Sequence, residues 1–200
     1  MGCYLIVAER NNKRKCETAQ EIKRHLEKNE KCVRIVRSSS EITNYDEIKV
    51  VIVLGGDGSV LQEAKSLAGT GVPMLGVNFG TLGFLTEVEK PRIYEALDQI
   101  IKGDYAIEKR MAISATHKAK PDDEPVIAFN EIIVGKQDFG HMMTAKVYVD
   151  EKLVDTYVAD AVLVSTPTGS TAYNLSASGP ILVPGMEGLI ITPICSHSLN

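Results

Sequence analysis

Lys49-Val50-Val51-Ile52-Val53-Leu54-Gly55-Gly56-Asp57-Gly58-Ser59 decides the fold of this 200-residue chain. The apolar, β-branched run at 50–53 reads as a strand buried on both faces, which is the pattern of a parallel sheet. The glycines after it adopt dihedrals closed to other residues and let a ligand approach the backbone. Val60, Leu61, Ala64, Leu67 and Ala68 then recur at helical spacing. Strand, glycine-rich turn and helix in this order point free N–H groups and the positive end of a helix dipole into the turn, which suits a phosphate. The turn lacks a Gly-Lys-Ser/Thr ending, so it is not a Walker A loop. Asp57 needs a task, because a carboxylate beside phosphates is repelled. It can take a proton from a hydroxyl attacking a phosphoryl group, or help hold Mg²⁺. The plainer alternative is a helix N-cap.

Working outward, the same alternation extends over the first hundred residues. Residues 4–8 form an apolar run of strand length, and 14–29 carry Ala19, Ile22 and Leu26 as one apolar helical stripe. Residues 32–36 and 72–77 read as strands. Pro91 opens a helix whose stripe is Ile93, Leu97, Ile100 and Ile101. Strands alternating with helices give right-handed β-α-β units and a parallel sheet. The pattern changes near Gly103. Tyr105, Ile107, Met111, Ile113 and Ala115 keep strand periodicity, and 126–134, 143–149, 153–158 and 161–164 read as further strands. Asp150-Glu151 is a turn, and 118–125 a polar loop. The expected fold is α/β: an N-terminal open parallel α/β domain over residues 1–103, then a β-rich domain over 104–200.

Composition excludes several function classes. The net charge of −4 and pI near 5.6 argue against a broad nucleic-acid-binding surface. No window reaches the roughly 18 apolar residues of a membrane span. The start has neither a basic leader nor the myristoylation pattern, since Ile6 stands where Ser or Thr is needed. Cys3, Cys16, Cys32 and Cys195 form no Cys-x-x-Cys pair and are few for a disulfide scaffold, which fits a reducing cytoplasm. His25, His117, His141 and His197 lack zinc-protease spacing. Residues 1–50 hold 11 basic and 8 acidic side chains, against 11 and 18 in the remainder. The basic excess on the first helix reads as a solvated face.

Three further segments carry chemistry. Asn78-Phe79-Gly80-Thr81-Leu82-Gly83-Phe84-Leu85 follows a strand at the sheet's carboxyl edge, where open α/β sheets bind ligands. Phe79 can pack against a ligand ring, whereas Phe84 reads as a core residue. Asn130-Glu131 opens an apolar strand and offers a donor and acceptors suited to a ribose or base edge. The third segment is Asp160-Ala161-Val162-Leu163-Val164-Ser165-Thr166-Pro167-Thr168-Gly169-Ser170-Thr171-Ala172-Tyr173-Asn174-Leu175-Ser176. It runs from a buried strand into a hydroxyl-rich loop, a hydrogen-bonding cradle beside which Tyr173 can stack on a ring.

Taken together, Gly55-Gly56-Asp57-Gly58, Asn78-Phe79-Gly80-x-Leu82-Gly83-Phe84-Leu85, Asn130-Glu131 and Pro167-Thr168-Gly169-Ser170-Thr171-Ala172-Tyr173 resemble the NAD kinase family. The glycine turn is shared with lipid kinases and phosphofructokinases; the last segment is far more specific. The resemblance implies transfer of the terminal phosphoryl of ATP, or of polyphosphate in some members, to the adenosine ribose 2′-hydroxyl of NAD. It implies that NAD binds between the two domains. Asp57 takes the role of general base, and Gly55, Gly56 and Gly58 lie along the phosphates. Asp57, Gly58, Phe79, Asn130, Glu131, Asp160, Thr171, Ala172, Tyr173, Asn174, Leu175 and Ser176 match NAD-contacting positions, and His141 matches one by spacing. A divalent cation, Mg²⁺, accompanies ATP. The resemblance also implies a homodimer or homotetramer, while composition points to a cytoplasmic protein with no nucleic-acid or membrane partner.

Two departures bear on NAD against NADH preference: Val158 replaces a common basic residue, and Ala161 a common glycine. Relatives also extend beyond 200 residues, so the β-rich domain is expected to be incomplete. A lipid kinase shares the glycine turn, but the polar 165–176 loop argues against it. A non-catalytic nucleotide-binding protein is the other alternative.

Overall fold

Five strands, β1 (Cys3–Val7), β2 (Val33–Val36), β3 (Ile48–Gly55), β4 (Met74–Asn78) and β5 (Val88–Glu89), pair in parallel in the order β2-β1-β3-β4-β5. This is seen in a computed structural model that describes residues 2–9, 11–80, 83–136 and 141–197. Thr81 and Leu82 of the second motif, and the last three residues, lie outside the described residues. The chain divides into two units, Met1–Ile107 and Glu108–Asn200, each described by itself.

In the first unit the sheet is covered on both faces, as a parallel sheet requires. Tyr4, Ile6, Ile52 and Leu54 point one way, into a core with Ala19, Ile22 and Leu26 of α1 (Lys13–Lys28) and Ile93, Leu97 and Ile100 of α3 (Ile93–Lys102). Leu5, Val51 and Val53 point the other way, against Val60 and Leu67 of α2 (Asp57–Leu67). Successive strand residues alternate faces, so the buried runs of β1 and β3 feed both cores. His25 of α1 lies 2.7 Å from Asp98 of α3 and ties the two helices at their rim. Asn12 caps α1 by accepting from the Lys15 amide, and α3 stops at Gly103 in the left-handed conformation (φ 79°). The strand order reverses direction between β1 and β3, since β1 leads to β2 on one side while β3 leads to β4 on the other. In open α/β sheets such a switch point marks a crevice at the carboxyl ends of the two strands, here β1 and β3.

The second unit is mostly β. Strands β8 (Glu131–Gly135), β11 (Ala161–Ser165) and β12 (Ile190–Ile194) form an antiparallel sheet in the order β12-β11-β8. A short pair joins β6 (Ile113–Ala115) to β7 (Val126–Ala128). A hairpin joins β9 (Met143–Val149) to β10 (Lys152–Ala159). Its tight turn places both Asp150 (φ 47°) and Glu151 (φ 65°) in the left-handed region, which matches the twist of the strands. A 3₁₀ turn, Thr168–Thr171, leads into the short α4 (Tyr173–Ser176).

Four sequence expectations need correction. The alternation from Tyr105 gives no strand before β6, because a strand also needs a neighbour to pair its backbone. The single strand expected over 126–134 is broken at Phe129-Asn130, whose carbonyls accept bonds from elsewhere. Strands β5 and β12 escaped the reading, one for its two-residue length and the other for the Pro193 inside it. Cys3 and Cys32 are joined as a disulfide. The cysteine count did not suggest it, but pairing of β1 beside β2 brings the two positions together.

Candidate functional site

The glycine turn leaves β3 at Gly55 and enters α2 with Gly56 as N-cap, so Asp57 is the first helical residue and not the cap. No side chain caps the helix, which leaves its first amides available. The Asp57 carboxylate instead reaches the loop between β4 and β5. Its Oδ2 accepts from the Phe84 amide at 2.7 Å. Its Oδ1 accepts from the amides of Leu85 (3.0 Å) and Thr86 (3.2 Å) and from the Thr86 hydroxyl (3.4 Å). A Cβ on Gly83 would collide with this carboxylate, so glycine there is what lets the loop close onto Asp57. A carboxylate has about four lone-pair sites. Among the described residues, Oδ1 carries three of the four donors and Oδ2 only one, which leaves Oδ2 an acceptor position.

The two phenylalanines of this loop differ in exposure. Phe84 is 72% exposed, which overturns its reading as a core residue. Phe79 is half-buried against the core of α1 and α3, with the Lys90 ammonium 5.8 Å from its ring centroid. The bonds from Asp57 hold the backbone of residues 84–86 and turn the Phe84 side chain out.

In the second unit, the break at Phe129-Asn130 is where two motifs meet. The Asn130 carbonyl accepts from the Thr166 amide at 2.8 Å, and the Phe129 carbonyl from the Thr166 hydroxyl at 2.5 Å. A Cβ on Gly169 would collide with the Asn130 backbone, so this motif glycine permits the close approach. Glu131 lies opposite Ser165 in the β8–β11 ladder. Its Oε2 is one of two buried side-chain oxygens without a partner among the described residues. The other is the Tyr4 hydroxyl, inside the first unit's core. Burial pushes the Glu131 carboxyl above the usual glutamate range.

The hydroxyl-rich loop turns the hydroxyls of Ser165, Thr166 and Ser170 inward, so these three do not form part of a cradle. Ser170 is buried and donates to the Pro167 carbonyl at 2.6 Å, while accepting from the Leu182 amide at 3.1 Å. Thr166 accepts from the Gly169 amide at 3.1 Å. Asn174 is fully buried: its amide donates to the carbonyls of Ser170 (3.2 Å) and Pro180 (2.8 Å) and accepts from Thr192 of β12 (2.7 Å). These groups satisfy one another, as buried polar atoms must. Thr171 and Ala172 are half-buried, and Tyr173, Leu175 and Ser176 are exposed along α4.

Asp160 sits between β10 and β11, 2.7 Å from the Lys136 ammonium. The hydrogen bond and charge of Lys136 hold its carboxyl below the ordinary aspartate range, and His197 acts in the same direction. His141 is exposed ahead of β9, and no contact joins it to the other candidates among the described residues.

Sequence reasoning missed four supporting residues. Lys136 pairs with Asp160. Arg110, paired with Glu108 at 2.7 Å, donates to the Thr168 hydroxyl at 3.4 Å. Glu63, buried on α2, accepts from the Ser39 amide at 2.6 Å and from the hydroxyls of Ser38 and Ser39. Lys15 is buried on α1. Only the Glu63 partners left a readable signal, since Ser38-Ser39-Ser40-Glu41 has capping-box spacing.

A cleft of about 300 Å³ lies beside β1 and β2, lined by Ala8, Ala19, Ile35 and Arg37 among others, and none of the candidates lines it. Among the described residues no three His, Cys, Asp or Glu side chains converge on one point, and no helix is long and apolar enough to cross a membrane. The Asp57 carboxylate faces amides, so these residues do not form a preformed cation cage.

A parallel α/β unit with a glycine-rich turn at its carboxyl edge, followed by a β-rich unit, defines an α/β protein of the kind that takes phosphorylated small molecules at its strand ends. The chain belongs to the ATP-NAD kinase family. The family's N-terminal domain matches residues 2–105, and its C-terminal domain residues 129–200. An NAD kinase of Caldanaerobacter subterraneus is 49% identical over 157 residues, covering 78% of this chain and 55% of its own length. One of Lachnoclostridium phytofermentans is 38% identical over the whole of this chain and 74% of its own length. The chain thus spans about half the length of several curated relatives that it matches. An Archaeoglobus fulgidus NAD kinase solved in complex with ATP superposes with a TM-score of 0.79 at 25% identity, over all of this chain and 74% of that one. Yeast NADH kinase complexed with NADH shares the fold, with a TM-score of 0.81 at 24% identity over 67% of its chain.

Proposed function

We propose that the chain is the catalytic part of an NAD kinase, transferring the terminal phosphoryl of ATP to the adenosine ribose 2′-hydroxyl of NAD to give NADP. Family membership supports the reaction. The observation that carries the chemistry is the Asp57 carboxylate, fixed by the amides of residues 84–86 with one Oδ2 acceptor position left. In this reading the 2′-hydroxyl donates its hydrogen to Oδ2. As the oxygen attacks the terminal phosphorus, Asp57 takes the proton and ADP leaves. Holding the base still is useful because near-attack geometry, rather than covalent chemistry, is most of what a protein adds to phosphoryl transfer. Gly55, Gly56 and Gly58 lie along the phosphates, with the uncapped amides of α2 as donors.

The other residues are assigned to NAD. The orphan Glu131 Oε2 accepts from a ribose hydroxyl, and Asn130 stands beside it. Asp160, charged and half-exposed, accepts from a donor on the nucleotide. Tyr173, Leu175 and Ser176 offer exposed side chains, Thr171 and Ala172 flank them, and Asn174 shapes the loop from within. Phe79 and His141 complete the set. Mg²⁺ travels with the ATP phosphates in this reading, as it commonly does where carboxylates are few; no step is assigned to it. Exposed Tyr148, Val149, Leu153 and Val154 on the β9–β10 hairpin support self-association as a homodimer or homotetramer. ATP and NAD as substrates support a cytoplasmic setting, while the Cys3–Cys32 disulfide is uncommon there.

The test is NADP formation from Mg-ATP and NAD by the folded chain, followed with an NADP-specific dehydrogenase. ATP-dependent accumulation of NADP is the expected result. NAD binding without turnover would instead make the chain a nucleotide-binding module.

A further inference from the structure

We propose that Lys15 is a phosphate-binding residue of the glycine-rich turn, its ammonium contacting a phosphoryl oxygen of the bound nucleoside triphosphate. The inference rests on the reading of that turn given above, and adds a residue that neither motif spacing nor charge pattern singled out.

Lys15 is only 8% exposed, although a lysine is almost never fully buried unless paired. Its position explains the burial. It lies in the first turn of α1, directly after the β1 end of the switch-point crevice, while Gly55 marks the β3 end. The side chain crosses from one to the other: a Cβ built on Gly55 would lie 3.8 Å from the Lys15 Nζ. The ammonium therefore sits against the backbone of the turn assigned to phosphate.

Its pairing is incomplete. An ammonium has three donors. Among the described residues its one partner is Glu9, whose Oε2 lies 3.0 Å away on a side chain that is 65% exposed. Removing a charge from water is costly unless it is well paired and hydrogen-bonded. One solvated carboxylate leaves two donors unassigned, and an arriving phosphate supplies oxygens for them. Glu9 is free to swing outward because its own surroundings are open.

The neighbouring sequence breaks a helix rule in the same direction. The first turn of α1 carries Lys13, Arg14 and Lys15 and no acid, at the end of the helix where the dipole already favours negative charge. Local rules are broken most often where function requires it. Lys13 and Arg14 are exposed, so Lys15 alone is delivered to the glycine turn.

The experiment measures binding of inorganic tripolyphosphate to the full chain by calorimetry at low salt, for wild type, Lys15→Met, Lys15→Arg and Glu9→Gln. Steady-state KM values for ATP and NAD are measured in parallel. Lys15→Met is expected to weaken tripolyphosphate binding about ten-fold or more, the range for a hydrogen bond to a charged group. It should raise KM for ATP and leave KM for NAD within two-fold. Lys15→Arg should restore most of the binding. Glu9→Gln, a surface change that leaves the fold intact, should tighten tripolyphosphate binding about two- to five-fold by removing the competing carboxylate.

Unchanged tripolyphosphate binding in folded Lys15→Met overturns the proposal. So does unchanged or weaker binding in Glu9→Gln, which decides the matter if Lys15→Met fails to fold. Lys15-dependent binding by a chain that forms no NADP overturns the kinase reading and leaves the role of Lys15 standing. NADP formation with an unaltered KM for ATP in Lys15→Met does the reverse.

Discussion

The loop at 83–86, mostly apolar in its side chains, and the hydroxyl-rich segment at 165–176 are both drawn in by hydrogen bonds and are held in opposite ways. The first is gathered by a single side chain: one Asp57 carboxylate binds three consecutive amides and keeps an acceptor position over. The second is gathered by many groups that satisfy one another, with Ser170 joined to Leu182 and Asn174 to Ser170, Pro180 and Thr192. In one, the organising group is also the group proposed to react. In the other, organisation and the proposed ligand contact are separated, leaving exposed Tyr173, Leu175 and Ser176 on a finished frame. Mutations in the first loop should therefore change rate, and mutations in the frame of the second should change stability.

Asp57→Asn is the largest expected effect and the sharpest way to break this contrast. An amide cannot take the proton, so kcat for NADP formation should fall about 10²–10⁴-fold. The amide nitrogen also cannot accept from the backbone, so the 84–86 loop should loosen without global unfolding. A variant retaining more than half the wild-type rate would falsify the assignment of Asp57 as base.

Asn174→Ala probes the other side. It leaves buried Thr192 and two carbonyls without their partner, and each such group costs about 1–3 kcal/mol. A loss of at least about 3 kcal/mol in stability is expected, read from urea unfolding. If the melting midpoint holds and only KM for NAD rises, Asn174 contacts ligand directly and the separation drawn above is wrong. Gly83→Ala stands between the two. Its methyl collides with the Asp57 carboxylate, and overpacking typically costs about 1–3 kcal/mol. Because the clash falls on the proposed base, NADP formation should drop by more than the loss of stability explains.

The sequence was legible where pattern and packing coincide. The parallel unit followed from the apolar run at 50–53 and the stripe of Ala19, Ile22 and Leu26, since burial on both sheet faces leaves no other arrangement for them. The motif residues were legible through their resemblance to a family, but their geometry was not. That Asp57 would reach residues 27–29 positions away depends on β4 lying beside β3, which no local pattern states. The same blindness to sheet order hid Lys15: charge on a helix reads as solvated until the strand beside it is known. Phe84 misled for a related reason, because its hydrophobicity was visible and the carboxylate that turns its backbone outward was not.

Two titrating groups of the second unit sharpen the comparison with smaller effects. Glu131 has a folded-state pKa raised by burial, so the native state holds its proton more tightly than the unfolded chain. Stability should fall as pH rises from the usual glutamate pKa of about 4.3 into the range above it. Glu131→Gln removes that decline and should give a flatter melting-temperature profile between pH 4 and 7. The same variant should weaken NAD binding measured by calorimetry. A flattened profile with unchanged NAD affinity would reduce Glu131 to a strained core residue.

Asp160 has the opposite sign and the smallest expected effect. Lys136 lowers its folded-state pKa, so the stabilisation is complete above the unfolded aspartate pKa of about 3.9 and is lost as pH falls through the lower folded value. Lys136→Met should therefore melt slightly below wild type at pH 7 and converge with it in acid. Exposed pairs contribute little, and added salt should shrink the gap further. The informative quantity is NAD affinity at neutral pH. If Asp160 receives a donor from the nucleotide, removing its competitor Lys136 should leave binding intact or tighter. Weaker binding in Lys136→Met would show instead that the ammonium itself meets the ligand, and that the second unit too contains a side chain that both organises and binds.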